Sequence, residues 1–160
     1  MANLSLPEKN NSTHPHQETI RRIIKLFNQK HFSSVFDQAQ KLTIQYPNSF
    51  IVWNILGISA AELGMLENSI NAFQKSLAIE DSAETFNNLG NVLRKQNYID
   101  KAIDAYKNAI SLKPNFPVAY YNMGDIFREQ GIFDDAIKAY ENSISLKPNY
   151  AESYCNLGIT

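Results

Sequence analysis

His14 and His16, with one residue between them, are the side chains whose type and spacing best suit a metal ion. They lie in a polar segment, Met1 to Gln17, and the only other histidine is His31, so no third ligand is at hand and solvation is the expected state. Cys155, the single cysteine, has no histidine near it in sequence to make it a nucleophile, and reads as a buried or groove-lining thiol. Asp134 and Asp135 look like paired carboxylates for acid–base work, but they stand where a helix should begin, and a capping role fits them better. With no glycine-rich phosphate cradle either, these residues predict no catalytic site, no metal and no cofactor.

Asparagine is the chemistry that repeats. Asn88, Asn122 and Asn156 recur at one constant interval, with Asn87 and Asn91 flanking the first. Each amide offers a donor and an acceptor, the complement of the C=O and N–H of an extended peptide. Asparagine is a poor helix former, so its return to one helical position asks for a reason.

The elements that would hold these amides are set by a period. Gly57, Gly90, Gly124 and Gly158 recur at a nearly constant spacing, each preceded by an aromatic four positions earlier (Trp53, Phe86, Tyr120, Tyr154). Phe73, Tyr106 and Tyr140 recur at the same interval, as do Pro114 and Pro148. Trp53, Leu56 and Ala60 follow steps of three and four, which places them on one helical face. Mid-helix glycine costs about 1 kcal/mol relative to alanine, so Gly57, Gly90 and Gly124 predict a close approach by the next helix, with Ala102 and Ala136 small on the other side. The spacing predicts helices over 50–63, 67–79, 83–96, 100–112, 117–130 and 134–146, with Asp100 and Asp134 as N-caps and Pro114 and Pro148 as stops.

Trp53-x2-Leu56-Gly57, Phe86-x2-Leu89-Gly90 and Tyr120-x2-Met123-Gly124-x2-Phe127, followed by Ala102-x3-Tyr106 and Ala136-x3-Tyr140, resemble the tetratricopeptide repeat (TPR) family over residues 50–160. Ser69, Ala60 and Asp81 depart from the pattern in the first unit. The resemblance implies an all-α, right-handed superhelical solenoid of antiparallel helix pairs. Its parts are a polar leader (1–17), a degenerate capping pair (18–49), repeats at 50–82, 83–116 and 117–150, and the first helix of a truncated fourth repeat (151–160). It also implies that the first helix of each pair lines a concave groove, formed here by Asn54, Asn87, Asn88, Asn91, Arg94, Tyr121, Asn122, Asp125, Arg128 and Asn156.

The stretches around Asn88, Asn122 and Asn156 look like the repeats that precede the catalytic domains of O-linked N-acetylglucosamine transferases and bacterial sulfotransferase-like proteins. In the former, matching asparagines grip the substrate polypeptide. The carboxylate clamp of chaperone-binding members is disfavoured, because Asn54, Ile58 and Val118 stand where its Lys, Asn and Lys belong. A protein-binding scaffold taking an extended peptide is the expected function. The alternatives are self-association as a homodimer through a terminal helix carrying Tyr154 and Leu157, or a substrate-recruiting part of a larger transferase.

Fifteen Lys and Arg against sixteen Asp and Glu provide no basic excess for nucleic acid. No apolar run approaches the ~20 residues of a membrane span, and a lone cysteine fits a reducing compartment, so the cytoplasm is the expected location.

Overall fold

The computed structural model describes residues 14–148 together with Gly158. Every regular element among them is a helix: α1 (Gln17–Asn28), α2 (Phe32–Gln45), α3 (Phe50–Glu62), α4 (Leu66–Leu77), α5 (Ala83–Lys95), α6 (Ile99–Leu112), α7 (Pro117–Glu129) and α8 (Phe133–Leu146). From α3 onward they match the expected spans to within two residues. The expectations for Tyr154, Cys155, Asn156 and Leu157 lie outside the described residues.

Each odd-numbered helix packs on the even-numbered helix that follows it, and each pair stacks on the next through α2 on α3, α4 on α5 and α6 on α7. The main core is the product of this stacking, since Phe73, Leu89, Val92, Ala105, Tyr106 and Ile126 come from four successive helices, α4 to α7. No single pair could bury such a face alone.

The turn inside each pair has a register of its own that the sequence pattern did not single out. Lys30, Gly64, Asn97 and Gly131 all have positive φ, at 60°, 74°, 62° and 73°. Each closes its first helix with the same two backbone bonds. In the second pair these are Gly64 N–H to Ala61 O and Met65 N–H to Ala60 O. In the first they are Lys30 N–H to Phe27 O and His31 N–H to Leu26 O. This is the Schellman arrangement, which needs a left-handed residue just past the helix. Glycine adopts it freely and asparagine tolerates it, but a lysine is strained there by ~1–2 kcal/mol. Lys30→Gly should therefore raise stability by about 0.5–1 kcal/mol once the greater freedom of glycine in the unfolded chain is subtracted. Urea denaturation would show it as a higher midpoint at unchanged slope, and a lower midpoint would contradict the strain.

Asp100 and Asp134 do not cap. The second helices begin earlier, at Ile99 and Phe133, with Tyr98 and Ile132 in the capping positions and no side-chain cap bond. The carboxylates sit inside the first turn, where they meet the positive end of the helix dipole. A side-chain cap forms instead on a first helix, where Ser82 Oγ accepts from Thr85 N at 3.3 Å to open α5. Pro114 and Pro148 follow their helices by two residues.

The capping pair is tied firmly to the array. Trp53 Nε1 donates to Pro47 O at 2.7 Å. His14 bonds Ser49 Oγ at 2.9 Å and stands edge-on to Phe50 at 5.9 Å, so it is half-buried rather than part of a solvated leader.

Candidate functional site

The glycine register is filled by aromatic rings. A Cβ on Gly57 would stand 2.6 Å from the Phe73 ring, one on Gly90 2.5 Å from Tyr106, and one on Gly124 2.8 Å from Tyr140. The close approach is thus made by the ring of the paired second helix, fully buried in each case, lying over bare backbone. Ser69, the departure at the small-residue position, remains small and donates to Gly57 O at 2.7 Å.

The two tyrosines among these rings carry their hydroxyls to the residue just after the glycine. Tyr106 OH donates to Asn91 Oδ1 at 2.7 Å, and Tyr140 OH to Asp125 Oδ1 at 2.8 Å. In the first repeat the ring is Phe73, which has no hydroxyl, and the matching residue is Ile58, packed against the same core. Polar meets polar and apolar meets apolar at one structural position in three copies. Phe73→Tyr alone should cost about 1 kcal/mol, because its hydroxyl would arrive against Ile58, and Ile58→Asn in the same chain should recover it. A double-mutant cycle by denaturant unfolding would read the coupling, and strict additivity would refute the pairing.

Three sets of polar bonds run between the first helices of neighbouring repeats. Asn54 Nδ2 on α3 donates to Thr85 Oγ1 on α5. Asn122 Nδ2 on α7 donates to Asn87 Oδ1 on α5 at 2.9 Å. Arg94 on α5 pairs with Asp125 at 3.5 Å and with Glu129, both on α7. Arg128 Nε completes the cluster by donating to Tyr140 OH at 3.3 Å, and the Tyr121 ring leans on that of Tyr140 at 5.9 Å.

The phenols are correspondingly hard to ionise. Burial, reinforced by the bond donated to Asp125, pushes Tyr140 up to about 12, and burial raises Tyr106 as well. At the outer edge of α5, the Lys113 ammonium at 2.7 Å holds the Glu84 carboxyl below its ordinary range. That pair is exposed and contributes little to stability.

Of the ten expected groove residues, Asn54, Asn87, Arg94, Asn122 and Asp125 take part in bonds between first helices, Asn91, Asp125, Arg128 and Tyr121 meet the tyrosines of the second helices, and Asn156 lies outside the described residues. Their roles diverge. Asn87 is buried and occupied by Asn122, so the amides of Asn88 and Asn122 are not equivalent despite their register. Asn88 is half-buried at the edge of a cleft of about 120 Å³ between α3 and α5, with Ile58, Phe73, Asn91 and Lys95 among its walls. Lys95 supplies a cation to the wall of this cleft. It also borders a second cleft of about 440 Å³ lined by Asn91, Arg94 and Glu129. Among the described residues no cluster of three metal-ligating side chains occurs.

Helix pairs of this geometry, three of them locked by a glycine under an aromatic ring and repeated along the chain with one period, define a TPR solenoid, the fold of protein-interaction scaffolds. Residues 90–131 and 124–160 match the TPR repeat family. Among solved structures, the chain is similar to the crystal structure of MamA, at 29% identity and a TM-score of 0.79, over 84% of this chain and 80% of that one. It also superposes on a chain of the APC/C hetero-tetramer Cut9–Hcn1 with a TM-score of 0.82 and 21% identity, over 91% of this chain but 30% of that one. YrrB, described as a TPR protein with an unusual peptide-binding site, aligns over 92% of this chain and 82% of its own at a TM-score of 0.72 and 17% identity. A comparison with curated protein sequences yields no match. No enzyme family is indicated by these likenesses, and no described helix is long and apolar enough to cross a membrane.

Proposed function

We propose that the chain is a non-enzymatic scaffold that holds an extended peptide, or an extended segment of a partner protein, along the face of its first helices. One observation carries this reading: Asn88, whose amide C=O and NH2 have no hydrogen-bond partner among the described residues, borders a side-chain-sized cleft between α3 and α5. An amide so placed can exchange paired bonds with a peptide backbone while Ile58 and Phe73 receive an apolar side chain. The cations Arg94 and Lys95 on α5, set beside the acids Asp125 and Glu129 on α7, suit a mixed-charge segment. The likeness of the asparagine-bearing repeats to those that recruit polypeptide for O-linked glycosylation agrees with it. The single cysteine agrees with a cytoplasmic setting.

The test separates Asn88 from Asn122. Asn122→Ala should cost about 1 kcal/mol of stability, because it strands the buried amide oxygen of Asn87. Asn88→Ala should leave the unfolding midpoint within about 0.5 kcal/mol of the parent. A peptide selected on the parent from a random library should nevertheless bind the Asn88→Ala variant about tenfold more weakly, the order of one lost paired amide contact. Equal binding by parent and Asn88→Ala would remove the asparagine from the site.

A further inference from the structure

The N-terminal helix pair differs in charge from the remainder of the molecule. Between residues 14 and 45, Arg21, Arg22, Lys25, Lys30 and Lys41 face two carboxylates, Glu18 and Asp37, whereas residues 46–148 hold nine cations against twelve carboxylates. The formal charge of −1 for the whole chain conceals this division.

Four of the five cations gather around two adjoining clefts. The smaller, of about 220 Å³ between α1 and α2, has Arg22, Lys41, Thr19, Gln38 and Leu42 among its walls and no carboxylate among the described residues. The larger, of about 600 Å³, shares Thr19 and Arg22 and adds His16, Arg21 and Lys25, with Glu18 as its one acid among the described residues. None of these four cations forms an ion pair among the described residues, and Arg22 makes only a long bond to Gln38 Oε1 at 3.5 Å. By contrast, Arg94 and Lys113 of the array are neutralised by acids at hand.

We propose that the α1–α2 surface is a second docking site, separate from the first-helix face, for an acidic segment of a partner protein in which Asp and Glu alternate with apolar residues. Arginine and lysine supply directed partners for carboxylates, and Leu42 supplies an apolar floor between them. The acidic array beyond Tyr46 repels such a segment and steers it to this end. That same repulsion disfavours a long polyanion or a membrane, which would have to lie against the array as well.

The experiment uses the full chain and fluorescence anisotropy with a labelled Glu/Leu peptide, beside a Ser/Leu peptide of equal length. The variant replaces Arg21, Arg22, Lys25 and Lys41 together by Gln, which keeps the helical propensity and the stems, and circular dichroism verifies that it folds. A second variant, Lys95→Gln, alters the first-helix face alone. The acidic peptide should bind the parent in a salt-sensitive manner, bind Lys95→Gln equally, and lose about tenfold or more in affinity on the four-site variant, whereas the affinity of the Ser/Leu peptide should be the same for the parent and the four-site variant. Loss on Lys95→Gln with none on the four-site variant would place the peptide in the groove and overturn the proposal. So would absence of binding at low salt, or equal binding of a single-stranded oligonucleotide or phosphatidylserine vesicles, which would mark the surface as indifferent to the kind of anion.

Discussion

Replacing Tyr106 by alanine should destabilise the protein by about 3–5 kcal/mol, the largest single-residue effect expected in this chain. The ring is wholly buried, belongs to the cluster that joins α4, α5, α6 and α7, and covers the backbone at Gly90, so its removal opens a cavity that a helix backbone cannot collapse to fill. Asn91 also loses the hydroxyl that it accepts from. Because repeats contact only their neighbours, the loss should concentrate at the second repeat and its two interfaces. Amide exchange should therefore quicken most in α5 and α6 and least in α1. Denaturant unfolding gives the magnitude, and a cost under about 1 kcal/mol would mean that the ring is not the keystone of the stack.

Gly90→Ala should cost about 2 kcal/mol in the parent, although alanine is the better helix former. The new Cβ would meet the Tyr106 ring at 2.5 Å, and the ring has no free space into which to retreat. Overpacking of that severity costs about 3 kcal/mol, and helix propensity returns about 1. In a Tyr106→Ala background the obstruction is gone and only the propensity remains, so the same substitution should become stabilising by up to about 1 kcal/mol. The reversal of sign is the diagnostic result. A Gly90→Ala that destabilises equally in both backgrounds would show that the glycine serves backbone conformation rather than the ring.

Much of this architecture can be read from spacing. The nearly constant interval between glycines, and between the rings that cover them, locates each helix pair, because a helix's contacts with itself and with its immediate partner repeat with the chain. The same locality explains why Ser69 could stand where alanine is usual, since both are small. Less legible was the turn register, in which Lys30 and Asn97 hold the positive φ that Gly64 and Gly131 hold elsewhere, because residue type there does not announce the conformation. The starts of the second helices were misplaced by one residue for a related reason. The backbone bond from Tyr98 N–H to Leu93 O sets where α6 can begin, and Asp100 then falls inside the first turn instead of ahead of it.

The candidate site shows where the linear pattern stops. Sequence by itself determined that asparagines would recur on the first helices, since register along a helix is a local property. Only the tertiary structure decided what each amide does. Asn122 reaches across to Asn87 in the preceding repeat and leaves Asn88 open, because the partner of a side chain across two stacked repeats depends on the angle and offset between α5 and α7. The same geometry joins Arg94 to Asp125 and Glu129. Those offsets arise from the packing of whole helices, summed over many side chains, and no single position in the repeat encodes them.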